Sequence, residues 1–339
     1  MKIGNVQLKN EYIFAPIAGY SDVGFRSLCS KYGAGLTVTE MVSAKGLNFN
    51  NPNSEVLLAT TKGESPVAVQ LFGSDPEQLF KAAQNPLLKK FDIIDINMGC
   101  PVRKVTSNGE GSALMKNPKF IAELVQATVE GGKRPVTVKL RSGFDLNKPT
   151  VVECAIWAQK GGASAVTIHP RFREQFYSGY ADWSLIGEVK NAVDIPVIAN
   201  GDIVDFASAK AVKQVTNCDG IMIARGALGK PYIFAELLGK TYINDVGKLM
   251  LKCECREDET EYCGCEDEFG KDKVIDIKAD ILEQIEVMTN FMSERVVANN
   301  MKMHLCYFAK NIATPKAVRQ SITTVKTLSD LLKVIDEFF

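Results

Sequence analysis

The 339 residues contain no apolar run long enough to cross a bilayer, and the first twelve carry no basic-then-apolar leader. The first lack excludes a helical membrane span, and the two together lead us to expect a cytoplasmic protein with no membrane partner. A secreted disulfide framework is missing as well: the nine cysteines are odd in number and scattered through strand-like and helix-like stretches, so a reducing compartment is expected. Net charge is absent, with 40 Lys and Arg against 40 Asp and Glu, which argues against nucleic acid as a partner. The balance hides an asymmetry. Residues 253–273 hold nine acids and three bases, leaving 37 bases against 31 acids elsewhere, a net of +6 that permits RNA. What the chain does have is bulk. Hydrophobic residues make up 46% and charged residues 24%, at a length beyond one usual core, so one large domain with a smaller one is the natural organisation.

Short β-branched, apolar runs recur at residues 12–15, 36–39, 67–71, 93–96, 136–140, 165–168, 196–199 and 220–223. Amphipathic segments lie between them, such as 118–129 and 206–215, where apolar residues return at helical spacing. Eight repeated βα units suit a closed barrel, although a doubly wound open sheet is patterned alike. The strand ends decide. At or just past them stand Pro16, Ala18, Glu40, Gln70, Asn97, Cys100, Lys139, Arg141, His169, Arg171, Asn200, Asp202 and Arg225. A closed barrel gathers such residues at one mouth, where barrel enzymes carry their active sites, whereas an open sheet spreads them along a line. The expected fold class is therefore α/β, a (β/α)8 TIM barrel followed by a small C-terminal helical bundle.

The last two strands run into Asn200-Gly201-Asp202 and Ala224-Arg225-Gly226. Glycines let backbone amides approach an anion, Arg225 can fork onto phosphate oxygens, and these two loops are the usual phosphate site of the fold. Cys100 follows strand four beside Gly99, placed to give or take a proton or to act as a nucleophile. Lys139 and Arg141 alternate on one strand and so point together into the mouth, where charge is costly unless an anion or an electron-rich ring meets it. His169, ending strand six ahead of Pro170-Arg171, is expected to contact ligand.

Taken in order, Ala15-Pro16-Ile17-Ala18-Gly19, Val69-Gln70-Leu71-Phe72-Gly73, Asp95-Ile96-Asn97-Met98-Gly99-Cys100-Pro101, Lys139-Leu140-Arg141-Ser142-Gly143 and Asn200-Gly201-Asp202 resemble the tRNA-dihydrouridine synthases, nearest to the bacterial B-type branch. The resemblance implies FMN as cofactor, NADPH as reductant and a uridine of folded tRNA as substrate. It implies that Pro16, Ile17 and Ala18 line the flavin and that Gln70 and Lys139 meet its polar edge. Asn200, Gly201, Asp202, Ala224 and Arg225 would hold its phosphate. Asn97 and Arg141 would surround the uracil, His169 would serve both cofactor and uracil, and Cys100 would be the general acid.

Beyond about residue 240 the pattern turns helical, with periodic stretches at 275–291 and 325–338. The expected organisation is a catalytic FMN barrel at 1–240, an acidic cysteine-bearing insert at 241–274 and a helical tRNA-binding domain at 275–339. Lys302, His304 and Lys310 fall where the family carries basic RNA contacts, although Met303 and Tyr307 depart from its pattern. Within the insert, Cys253, Cys255, Cys263 and Cys265 form two paired-thiol hooks, a candidate zinc or iron–sulfur site. No obligatory protein partner is expected, and the chain reads as a monomer. Two rivals stand beside this reading: an FMN barrel enzyme acting on a small pyrimidine or enone, and a tRNA-binding chaperone that has lost catalysis.

Overall fold

The structure is a computed structural model that describes residues 1–252 and 272–339, the side chain of Asn311 excepted. The four cysteines read as a metal site lie outside the described residues.

Eight parallel strands close into a barrel: β1 (Tyr12–Phe14), β2 (Leu36–Ser43), β3 (Val67–Phe72), β4 (Ile93–Met98), β5 (Val136–Arg141), β6 (Ala165–His169), β7 (Val197–Asn200) and β8 (Gly220–Ile223), with β8 pairing back onto β1. Strand seven begins at Val197 rather than at residue 196, because Pro196 has no N–H for the ladder. Outside lie α1 (Val23–Lys31), α2 (Pro76–Ala83), α3 (Pro118–Gly132), α4 (Val151–Lys160), α5 (Ser184–Ala192) and α6 (Phe206–Thr216). Their starts have local causes. The Asp22 and Asp205 side chains accept from the Phe25 and Ser208 amides, and Pro118 opens α3 with its ring already at a helical φ.

Alternation along the strands sorts the barrel interior into layers. Ile13, Leu36, Ala68, Ile93, Ala165 and Ile198 form the apolar floor, sealed from below by Ile3 and Leu8 of the N-terminal hairpin. Two residues further along the same strands stand Gln70, Asp95, Thr167 and Asn200, with Thr137 and Lys139 on β5. The polar layers therefore face the C-terminal mouth. A register shift in β2 between Val38 and Met41 adds a local kink that no straight β run announces. It frees Thr39 Oγ1 to accept from Gln70 N at 3.1 Å and turns Glu40 toward Gly19, whose amide it accepts at 2.6 Å.

After the barrel, Thr241–Ile243, Leu249–Leu251 and Lys273–Val274 form a three-stranded antiparallel sheet, so the flanks of the expected insert are ordered strands rather than linker. Then come α7 (Ile277–Thr289), α8 (Glu294–Phe308), α9 (Pro315–Ser321) and α10 (Leu328–Phe338). Asp276 and Thr327 cap α7 and α10, which is why these helices start later than hydrophobic spacing alone predicts. α7 packs along α1 and shares one apolar core with the barrel, in which Phe25, Ile281, Ile285, Met288, Leu305 and Phe308 are buried. Two glycines permit the approach: a Cβ on Gly24 would stand 2.6 Å from Gln284 O, and one on Gly229 would stand 2.4 Å from the Tyr307 carbonyl carbon. Among the described residues, no helix is long and apolar enough to cross a membrane.

Candidate active site

A cavity of about 750 Å³ opens at the C-terminal mouth, within the range of small-molecule and cofactor sites, roughly 300–1,000 Å³. Pro16, Ile17, Ala18, Gln70, Asn97, Cys100, Lys139, Arg141, His169, Asn200, Gly201, Asp202, Ala224 and Arg225 all line it, as do Tyr307 and Lys310 from the helical region. Of the strand-end residues singled out, Glu40 and Arg171 stand behind this wall. Glu40 holds the Gly19 amide, and buried Arg171 braces Asp202 through Nη2 at 2.8 Å and His169 through Nη1 at 3.3 Å.

The two walls differ in chemistry. On one, Asn97 Oδ1 accepts from Cys100 N at 2.9 Å and Gly99 N at 3.2 Å, and the Cys100 carbonyl accepts from Ser112 N at 3.1 Å and Oγ at 2.9 Å. The main chain is thus tied on both sides of a half-buried thiol. Burial raises the Cys100 pKa, against the opposing pull of the Val102 amide and Arg141, so the sulfur keeps its proton at neutral pH. Arg141 donates through Nε to Gly99 O at 2.7 Å and through Nη1 to Phe176 O at 2.8 Å. Burial brings its pKa down to about 10, so it remains a cation at neutral pH. On the other wall, Lys139 Nζ donates to Asn200 Oδ1 at 3.0 Å, and burial with Arg141 nearby lowers its pKa to about 8. His169 is pushed well below its ordinary value by burial and by Lys139, Arg141, Arg171 and Arg225. It is therefore neutral, with Nε2 accepting from Arg171 and the proton on Nδ1.

FMN needs a flat apolar slot, polar groups at one edge and a phosphate cradle. Ala15, Ile17, Met41 and Met222 supply apolar lining, with Gln70 and Lys139 polar beside them. Gly201, at φ +116°, passes so close to His169 that a Cβ would stand 2.9 Å from its ring, so only glycine brings the backbone to this edge. Arg225 is 45% exposed, and Asp202 Oδ1 lies 3.6 Å from its Nη2, a loose pairing that a phosphate can displace. The donor set fits the group. Asp202 needs a refined role: Oδ2 accepts from Arg171 and from Ala181 N at 2.8 Å, so the carboxylate braces the loop, and only its main chain can face an anion.

One expectation is overturned. His304 is fully buried, with Nε2 2.7 Å from Asp22 Oδ2 and its ring packed on Phe25, so it cannot touch RNA. Burial would raise the Asp22 carboxyl, yet His304, the Phe25 amide and Arg26 hold it below its usual value, marking a polar pin between α8 and the barrel. Lys310 is exposed at the cavity mouth over the Tyr307 ring, whereas Lys302 is half-buried and donates to Asn299 Oδ1 at 3.3 Å. Tyr177 was not foreseen. Its ring lines the cavity with the Arg141 and Arg225 guanidinium carbons 5.7 and 4.8 Å from its centroid. The signal was the aromatic density of Phe172, Phe176, Tyr177 and Tyr180 in the loop after β6.

Known proteins are similar to this chain in sequence and in fold. The dihydrouridine synthase (Dus) family model matches residues 13–339. The tRNA-dihydrouridine synthase B of Proteus vulgaris is 34% identical over 339 residues, covering 100% of this chain and 98% of its own. A probable tRNA-dihydrouridine synthase of Rickettsia conorii is 44% identical over 238 residues, covering 70% of this chain and 72% of its own. Among solved structures, a 2-naphthoyl-CoA reductase complex superposes with a TM-score of 0.56 at 13% identity, over 70% of this chain and 51% of that one. An old yellow enzyme homologue from Zymomonas mobilis gives 0.50 at 15% identity, over 68% and 89%. Those two likenesses are of fold. The family match is of another kind, because it runs through the barrel, the cavity and the C-terminal helices alike: the chain belongs to the dihydrouridine synthase family.

Proposed function

We propose that this chain reduces specific uridines of tRNA to 5,6-dihydrouridine, holding FMN in the mouth cavity and drawing on NADPH. The observation that supports it most is the cavity's division: a protonated thiol beside Asn97 and Arg141 faces a basic, glycine-lined cradle at Asn200–Asp202 and Arg225. Pro16, Ile17, Ala18, Gln70, Lys139 and His169 would hold the flavin body, and Gly201, Ala224 and Arg225 its phosphate. Bound FMN supplies the hydride that reaches C6 of the uracil.

The chain's own residues do the rest. Asn97 and Arg141 orient the base, and among the described residues no acceptor takes Arg141 Nη2, which is left to meet the charge developing on the C4 carbonyl. Cys100 gives its proton to C5. A uridine inside folded tRNA reaches these groups only by leaving its stack. Lys310 and Tyr307 stand at the mouth to receive it, a cation and a stacking face. Monomeric work in the cytoplasm completes the reading. A zinc or iron–sulfur site at Cys253, Cys255, Cys263 and Cys265 rests on their spacing, and elemental analysis of protein purified without chelator tests it.

The test of function is incubation of the flavin-loaded chain with unmodified tRNA transcript and NADPH. A uridine gaining two hydrogens by nuclease digestion and mass spectrometry is expected. Turnover of small enones with no change in tRNA would overturn the reading.

Arg225→Ala isolates the phosphate cradle. Charge-assisted hydrogen bonds contribute about 1.5–3 kcal/mol, so FMN affinity should fall roughly 10- to 100-fold, read as flavin absorbance per chain, and activity should return with added FMN. Unchanged flavin content would place the phosphate elsewhere.

A further inference from the structure

Asp95 lies below the cavity, not on its wall, and is 3% exposed. Its carboxylate accepts from Thr137 Oγ1 at 2.6 Å and from Gln70 Nε2 at 2.7 Å. Gln70 Oε1 then accepts from Asn97 Nδ2 at 2.8 Å, and Asn97 Oδ1 accepts from the Gly99 and Cys100 amides. The four residues form one directed chain of hydrogen bonds from the barrel interior to the backbone of the thiol-bearing loop.

An ionised carboxylate can only accept, so Gln70 must turn its NH2 toward Asp95 and its oxygen toward Asn97. If Gln70 were reversed, its NH2 would face the Asn97 NH2. Asn97 would then have to reverse as well, setting a donor against two backbone N–H groups. A carboxamide cannot choose its orientation by shape, because its two ends are nearly isosteric; the buried anion at one end of the chain and the two backbone N–H groups at the other make the choice together. We propose that Asp95 is a positioning residue for the reduction: it fixes the polarity of the Gln70 and Asn97 amides and thereby holds the Cys100 loop in its reactive conformation. The inference rests on the assignment of Cys100 as the proton donor.

The charged side chain bearing on Asp95 is Lys139, which favours the anion, while burial raises the carboxyl to about 6. Thr137 and Gln70, its hydrogen-bond partners, are neutral. Protonation would give Asp95 a donor and license the reversed amide, so activity should climb through a limb near pH 6 and level off above it.

Asp95→Asn tests the relay, since asparagine keeps the volume but offers one donor and one acceptor and so accommodates either orientation of Gln70. Three measurements are read together: kcat and KM for tRNA, the pH profile, and the alkylation rate of Cys100 by iodoacetamide in flavin-free protein, followed by peptide mass spectrometry. The expected result is a kcat lowered about tenfold with KM for tRNA within about threefold, loss of the acid limb, and Cys100 alkylated at least about threefold faster. An alkylation rate within threefold of the parent's overturns the relay, whatever happens to kcat. Should Asp95→Asn fail to fold, the parent's own profile decides, and a flat response from pH 5.5 to 7 overturns it. A parent that makes no dihydrouridine would refute the enzyme's reading instead, and the alkylation measurement would still judge the relay.

Discussion

Cys100→Ala is expected to keep its FMN and its NADPH oxidation within about twofold of the parent, while dihydrouridine formation falls by roughly 10²–10⁴, the range attributed to a positioned general acid. The separation follows from how the loop is held. Asn97 and Ser112 grip the Cys100 main chain, so alanine, which gives up only the Val102 amide's contact with the sulfur, removes the proton donor without releasing the loop. Of the residues proposed to hold FMN, Lys139 and Asn200 bond to each other rather than to the thiol. The pH dependence has a definite sign. The proposed reaction needs the protonated sulfur, and burial moves its pKa above the ordinary value, so the thiol's contribution should hold through neutrality and be lost in the alkaline range. Cys100→Ser should stay defective across that range, because a hydroxyl gives up its proton far less readily. Single-turnover mixing of reduced enzyme with tRNA makes the measurement. Loss of flavin from Cys100→Ala would show a structural cysteine, and undiminished dihydrouridine formation would move the acid elsewhere.

Most of the barrel was legible because its information is local. A parallel strand covered on both faces writes itself as a continuous apolar run, and the group that functions stands at that run's C-terminal end. Lys139 and Arg141, two residues apart on β5, were bound to share a direction, and both line the cavity. What could not be read was non-local. Asp22 and His304 meet across 282 residues of chain, and nothing near either names the other. The burial of His304 did leave a trace: Val297, Met301, His304, Leu305 and Phe308 form one inward stripe of α8, and a basic residue on such a stripe belongs inside. Asp95 belongs to the Asp95–Pro101 motif, yet the role proposed for it depends on Gln70 and Thr137 from the two flanking strands. The β2 bulge has no composition of its own, and the strand Lys273–Val274 pairs with Met250 and Leu251, more than twenty residues away at the other flank of the insert.

Arg26→Met should be the most damaging substitution away from the cavity, costing about 3–5 kcal/mol, the range for breaking a buried ion pair by removing one partner. Arg26 is 1% exposed and Glu64 fully enclosed. Nε meets Glu64 Oε1 at 2.6 Å, Nη2 reaches Glu64 Oε2 at 3.3 Å and Ala59 O at 2.5 Å, and Nη1 donates to Ser21 O at 2.7 Å. Methionine fills much of the volume but leaves a carboxylate enclosed with, among the described residues, only Thr37 Oγ1 to donate to it. Removing both charges should hurt less than removing one, so Arg26→Met with Glu64→Gln is expected to recover more than half of the loss. The site should feel the change as well. Ser21 Oγ accepts from Ile17 N at 2.9 Å, so the arginine that anchors Ser21 also shapes the Pro16–Ile17 turn lining the cavity proposed for the flavin. Reduced flavin content should accompany the lost stability. Urea unfolding at unchanged slope gives the energy, and absorbance of the folded fraction gives the flavin. A loss below about 1 kcal/mol, the worth of an exposed pair, with flavin retained in full, would show that the pair neither supports the fold nor reaches the site.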